Sequence, residues 1–194
     1  MSELKNYDRL TEERINGVIY LMARPNRQHL RIQYNICRLF NDYFTRENKK
    51  CEAIFEDEVR INKDNKIVPD VLVYCYDDCN NTDDENNNGY DLPLIVVEVL
   101  SKSTRKKDFT VKMKKYAELG VKEYWIADYK SSVMDIYILE NGQYDLKFSC
   151  GIDDENVDGE EDEADEHKDL VAEFSPALFP DMTVKAKDVF YSVK

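Results

Sequence analysis

Apolar residues along this chain follow two rhythms, and polar stretches separate them. Val68-Pro-Asp-Val-Leu-Val-Tyr74 and Leu94-Ile-Val-Val-Glu-Val-Leu100 are short runs rich in β-branched residues. That pattern predicts strands covered on both faces. Arg14–Ala23 predicts two strands broken by a turn at Asn16-Gly17. After Pro25-Asn26, Leu30, Tyr34, Ile36, Cys37, Leu39, Phe40, Tyr43 and Phe44 recur at helical spacing as far as Arg46. Cys51–Ile61 and Val68–Tyr76 read as two strands joined by a polar Asn62–Lys66 turn. A second helix is predicted from Arg105 to Leu119, with Phe109, Met113, Tyr116 and Ala117 as its buried stripe and Gly120 as its stop. Glu123–Tyr129, Val133–Leu139 and Tyr144–Cys150 extend the sheet, Leu170–Phe174 returns to a strand, and Lys185–Val193 closes with a short helix. Tyr124 and Trp125 are simplest as core aromatics. Met1–Arg9 is a polar lead-in.

Two carboxylates break this pattern. Glu98 sits inside the most apolar strand, where an ionised carboxylate is costly unless a cation or strong donors meet it. Asp70 opens the neighbouring apolar strand, directly after a proline that stops a helix from entering it. Carboxylates on adjacent buried strands can supply oxygen ligands to a hard divalent ion such as Mg²⁺.

The 194 residues suit one domain with a sizeable core. No apolar run approaches the ~20 residues of a membrane span, and Met-Ser-Glu-Leu-Lys-Asn has no signal-peptide core. Five cysteines without a framework spacing suggest free thiols in a reduced, cytoplasmic protein. Cys75 and Cys79 alone are too few for a metal site. With His167 in an acidic stretch, no two-histidine zinc site is credible either.

The net charge of −13 is unevenly placed. Asp153–Asp169 carries 11 acidic residues and one lysine, and Asp77–Asp91 carries six acidic residues and no basic one. Setting aside these inserts of −10 and −6 leaves a remainder of +3, so the acidity does not exclude a nucleic acid. Both inserts are too polar to bury a core and should stay solvated. Lys106, Lys107, Lys112, Lys114 and Lys115 make the second helix strongly basic. That is either a solvated face or an electrostatic footprint for phosphates.

Pro69-Asp70, Glu98-Val99-Leu100-Ser101, Asp108-x3-Lys112-x3-Tyr116 and Gly120-Val-Lys-Glu-Tyr-Trp125 stand in this order. Together they resemble the Uma family of restriction-endonuclease-like proteins, within the PD-(D/E)XK nuclease superfamily. The likeness extends to Glu13-Arg-Ile-Asn-Gly17, to His29 and to Phe179–Phe190, so it covers most of the chain, and the two inserts fall outside it. It implies an α/β fold, a mixed curved sheet flanked by helices in a single domain. It also implies a metal-dependent phosphodiesterase acting on DNA, with RNA left open, and a homodimer, since cutting both strands needs two sites. By the same resemblance Asp70 and Glu98 would hold Mg²⁺ or Mn²⁺, with the Val99 carbonyl as a further ligand.

One position departs from the pattern. In the superfamily a lysine stands two residues after the second acid, on the same side of the strand. Here that residue is Leu100. Lys112 is the candidate replacement, four residues from both Asp108 and Tyr116 and so on one helical face with them. The competing reading is a solvated Asp108–Lys112 surface pair.

Glu13 is either an exposed charge at a strand entrance or an auxiliary acid. His29 is either a packing residue or a phosphate contact. Ser101, Ser103 and Thr104 are helix-capping hydroxyls or phosphate contacts. Tyr116 joins the site through the shared motif. The alternative function is a nuclease fold that has lost hydrolysis and binds nucleic acid or protein. A Ser-His-Asp hydrolase lacks its Gly-x-Ser-x-Gly, and a dinucleotide-binding domain lacks its glycine loop.

Overall fold

The computed structural model describes residues 12–22, 24–76, 92–101, 103–152 and 170–193. The lead-in, Cys79, His167 and both acidic inserts lie outside the described residues. The chain opens with a hairpin, β1 (Glu12–Ile15) and β2 (Val18–Leu21), turned by Asn16 and Gly17, both at positive φ. Helix α1 (Arg27–Arg46) starts where the Asn26 side chain accepts from the His29 N–H. Then come β3 (Cys51–Phe55), β4 (Val59–Asn62), β5 (Asn65–Ile67), β6 (Val71–Cys75) and β7 (Ile95–Val99). A helical rod follows in three joined pieces: α2 (Arg105–Lys107), a π-helical stretch (Asp108–Lys112) and α3 (Met113–Leu119). Gly120 ends it in the left-handed conformation. β8 (Glu123–Asp128), β9 (Val133–Glu140), β10 (Gln143–Gly151), β11 (Leu170–Val171), β12 (Glu173–Phe174), β13 (Val184–Lys185) and α4 (Ala186–Val189) complete the fold.

The main sheet is mixed and seven-stranded, in the order β11-β10-β9-β8-β7-β6-β3. Its parallel pairs are β7–β8 and β10–β11. The smaller sheet runs β2-β1-β5-β4. The two strands expected between Cys51 and Tyr76 are therefore four, shared between two sheets. β3 pairs directly with β6, while β4 and β5 leave the main sheet to join β1. Period-2 patterning cannot reveal that exchange, because each piece alternates correctly within its own sheet.

Strand β7 divides the interior. Ile95, Val97 and Val99 face α1, where Ile32, Ile36, Phe40 and Phe44 form an i, i+4 stripe. Val96 and Leu100 face the rod and pack with Tyr116, Tyr124 and Ile126. Leu30 and Tyr34, expected in the α1 stripe, point to solvent, and Ile32 takes the buried position instead. On the rod the buried residues are Asp108, Lys112 and Tyr116, while Phe109, Met113 and Ala117 are half-buried. Thr104 stands at the start of α2 without a side-chain cap. Its hydroxyl pairs with Ser101 instead, at 2.9 Å.

Cys51 and Cys75 form a disulfide, which corrects the expectation of free thiols. The two residues lie directly opposite each other on antiparallel β3 and β6. A separation of 24 residues gives no hint of that register. Cys37 and Cys150 are free and buried, and burial raises their thiols to about 12 and about 11.

Glu123 is a buried carboxylate with a structural duty. It accepts from the Trp125 indole at 3.0 Å and from the Leu178 N–H at 2.9 Å, tying β8 to the C-terminal segment. Burial holds it above its ordinary 4.5 against those hydrogen bonds. A carboxyl raised on folding gives stability that is present at low pH and lost as pH climbs from 4.5 through the raised value. Urea titrations should therefore show that component in the wild type and not in Glu123→Gln. The variant should also be weaker by about 1–3 kcal/mol at low pH, because its amide meets a donor. Identical pH slopes in the two proteins would show that Glu123 does not titrate in this window.

Candidate active site

The site forms where β7 and the rod face each other. Antiparallel β6–β7 pairing sets Val71 opposite Val97, so Asp70 falls opposite Glu98. Asp70 is held from three sides. Its Oδ2 accepts from the Val99 N–H at 2.6 Å, and its Oδ1 from Gln33 Nε2 at 3.1 Å. His29 Nε2 lies 2.8 Å from the same Oδ1. His29 and Gln33 are one turn apart on α1, so one helix face orients this carboxylate.

Lys112 is 1% exposed, which overturns the solvated-pair reading. Its Nζ lies 2.8 Å from Glu13 Oε1, 2.9 Å from Glu98 Oε1 and 3.6 Å from Asp108 Oδ1. Tyr116 donates its hydroxyl to Glu98 Oε1 at 2.6 Å. The π-helical turn sets Asp108 and Lys112 together on the inner side of the rod, a local widening that recurs at functional sites. Glu13 is also buried, which removes the exposed-charge reading of it. It accepts from the Val68 N–H at 3.3 Å and lies 3.7 Å from Lys107 Nζ.

These distances set the electrostatics. Burial works to lower the Lys112 ammonium, but Glu98, then Glu13 and Asp108, override it and hold its pKa well above the usual lysine value. Burial raises Glu98 well above the ordinary carboxylate range, with Lys112 opposing. Asp108 is raised for the same reason. Burial also raises the Tyr116 hydroxyl, so it stays a donor.

Three buried carboxylates (Glu13, Glu98 and Asp108) thus lie against one buried ammonium, and buried Asp70 adds a fourth negative charge across the strand register from Glu98. The excess of negative charge asks for protons or for another cation. Asp108 is approached by Lys112 and by the Thr104 hydroxyl, yet neither of its oxygens has a well-formed hydrogen bond. Buried Gln33 Oε1 likewise has no donor. Orphaned hard oxygens beside an acidic pair fit a divalent cation. Among the described residues no three His, Cys, Asp or Glu side chains converge into a ready-made cage.

A family model described as "Putative restriction endonuclease", that of Uma2, matches residues 3–166. The chain belongs to the Uma2 family. Among solved structures, the Uma2 chain is similar to "a putative nuclease belonging to DUF820" from Anabaena variabilis. The TM-score is 0.65 at 18% identity, over 94% of this chain and 91% of the other. At that identity the likeness establishes a shared mixed α/β nuclease-like fold. No curated protein matches the chain at a significant level.

The structure brings Asp70, Glu98, Lys112, Glu13 and Tyr116 of this Uma2 chain into one cluster. Ser101 makes its hydrogen bonds within the neighbouring turn. Its hydroxyl bonds Ser103 and Thr104 at the mouth of the β7–α2 turn. Gln33 was not legible as a site residue, though its spacing of four from His29 on one helix was the available signal. Leu100 fills the strand position that a lysine would occupy and packs against Tyr116 in the apolar cluster.

Proposed function

We propose that the protein is a metal-dependent phosphodiesterase that cleaves DNA, working as a homodimer. The observation that carries this reading is the buried Lys112 ammonium, held between Glu13 and Glu98, with buried Asp70 opposite Glu98 in the strand register. A lysine buried among acids is expensive to maintain for stability alone. Strongly perturbed ionisable groups packed together mark functional sites.

Asp70 and Glu98 would hold Mg²⁺, with the Val99 carbonyl as a further donor; the ion, once bound, would polarise a phosphate and lower the pKa of its water. The protein's own groups do the rest. Lys112 stays protonated at neutral pH, so it serves as a cation and donor toward charge developing on the phosphate, and does not act as a general base. Glu13 anchors that ammonium from the far side. Tyr116 fixes the rotamer of Glu98 through its hydroxyl, and His29 and Gln33 fix Asp70. Leu100 and Tyr116 form the apolar wall that keeps these charges out of bulk water.

The missing strand lysine supports a second reading, a nuclease fold that binds nucleic acid without hydrolysing it. One experiment separates the two. Supercoiled plasmid incubated with wild-type protein in Mg²⁺ should be nicked and linearised. The same mixture in EDTA, or with Asp70→Asn, should leave it intact. Plasmid that is retarded on a gel but never cut, in Mg²⁺ or Mn²⁺, would establish the binding module instead.

A further inference from the structure

Glu13, Asp70 and Glu98 each have a duty in the cluster, and Asp108 has none. It is 0% exposed, and neither of its oxygens has a well-formed hydrogen bond among the described residues. A buried carboxylate in that condition is costly, and its open acceptors ask for the donor that completes them. The Thr104 hydroxyl is near, but it is engaged with Ser101 at 2.9 Å. The other donor at hand is Lys112, whose Nζ lies 3.6 Å from Asp108 Oδ1. That is too long for a hydrogen bond. A shift of about 0.8 Å would bring it to the ~2.8 Å of an ammonium–carboxylate bond.

Lys112 is held back from that shift by Glu98. An ammonium has three donors, and its Nζ lies 2.8 Å from Glu13 Oε1 and 2.9 Å from Glu98 Oε1. A divalent ion held by Glu98 would face this ammonium across one carboxylate, and like charges that close repel. Lys112 must then give way, and the side with open acceptors is that of Asp108. Little else has to move. Asp108 and Lys112 begin and end the same π-helical turn, and Tyr124 donates to the Asp108 carbonyl at 3.0 Å. Glu13, which accepts from the Val68 N–H, can keep its hold on the ammonium throughout.

We propose that Asp108 is a positioning residue that takes the Lys112 ammonium over from Glu98 when a divalent cation binds there. The transfer frees Glu98 for the ion and keeps the ammonium inside the cluster, between Glu13 and Asp108. It rests on the metal-dependent reading above and gives Lys112 a second state within it.

Calorimetry with Mn²⁺ tests this on wild type, Asp108→Asn, Lys112→Met and the double variant. Each is measured at a temperature where circular dichroism shows it folded. With Lys112 present, Asp108→Asn should weaken Mn²⁺ binding roughly tenfold, an ordinary coupling between linked sites. In the Lys112→Met background the same substitution should cost no more than about twofold, because no ammonium remains to be moved. An equal loss in both backgrounds overturns the proposal, since Asp108 would then act through its charge alone or as a ligand of the ion. No loss in either background overturns it as well. A wild-type crystal soaked in Mn²⁺ gives a second test that needs no variant. Nζ should stand within about 3.2 Å of Asp108 Oδ1 and farther than that from Glu98. An ordered ion on Glu98 with Nζ still 2.9 Å from Glu98 Oε1 overturns the transfer. Failure of the metal reading looks different. Wild type that takes up no Mn²⁺ removes the metal site, and the transfer falls with it. Mn²⁺ held through Asp70 and Glu98 without any dependence on Lys112 removes the transfer alone.

Discussion

Lys112→Met should lower Mg²⁺-dependent plasmid cleavage on the order of a hundredfold or more. A preorganised charge contact to a developing phosphorane is worth that much when deleted. The variant should also be less stable. Glu13, Glu98 and Asp108 lose the cation that lies 2.8, 2.9 and 3.6 Å from them. Removing one partner of a buried ionic cluster costs roughly 3–5 kcal/mol, less whatever the carboxylates recover by taking up protons. Rates should therefore be compared at a temperature where circular dichroism shows both proteins folded. Lys114→Met is the control, because Lys114 is 76% exposed and, among the described residues, pairs with Glu118 at 4.0 Å. It should change the salt dependence of binding by about one counterion and leave the rate constant alone. Equal losses in the two variants would remove the special role of Lys112.

Mn²⁺ should stabilise the wild type and fail to stabilise Asp70→Asn or Glu98→Gln. A ligand present at 100 times its Kd adds about 2.7 kcal/mol to stability, roughly 5–10 °C in Tm for a chain of this size. Isosteric amides keep the shape of the site while removing one negative donor each. Calorimetry should show affinity falling by on the order of a hundredfold, beyond what outer-shell losses cause. Removing negative charge also relieves the crowding of four buried carboxylates, so the metal-free variants should be at least as stable as expected for a lost hydrogen bond. Equal Mn²⁺ shifts in all three proteins would place the metal away from Asp70 and Glu98.

Local pattern determined a good deal of this protein by itself. Strands β6 and β7 were legible because Val68–Tyr74 and Leu94–Leu100 are apolar on both faces. The α1 boundaries were legible because Asn26 is a strong N-cap ahead of a 3.6-residue period. Gly120 marked the end of the rod for want of a Cβ at positive φ. Glu98 stood out as a charge in a buried strand, and the family motifs selected Asp70, Lys112 and Glu13 with it. All of these signals span a few residues or one repeat.

What depended on distant segments meeting was settled only by the tertiary structure. Whether Lys112 was solvated or buried turned on the β1 hairpin delivering Glu13, 99 positions earlier, to 2.8 Å from its Nζ. The roles of His29 and Gln33 appeared only when α1 crossed the sheet above Asp70. Cys51 and Cys75 met because β3 pairs with β6 rather than with β4. In each case periodicity tells which way a side chain points along its own element but not which element lies opposite. That choice belongs to sheet order and register, which the chain fixes only by packing as a whole.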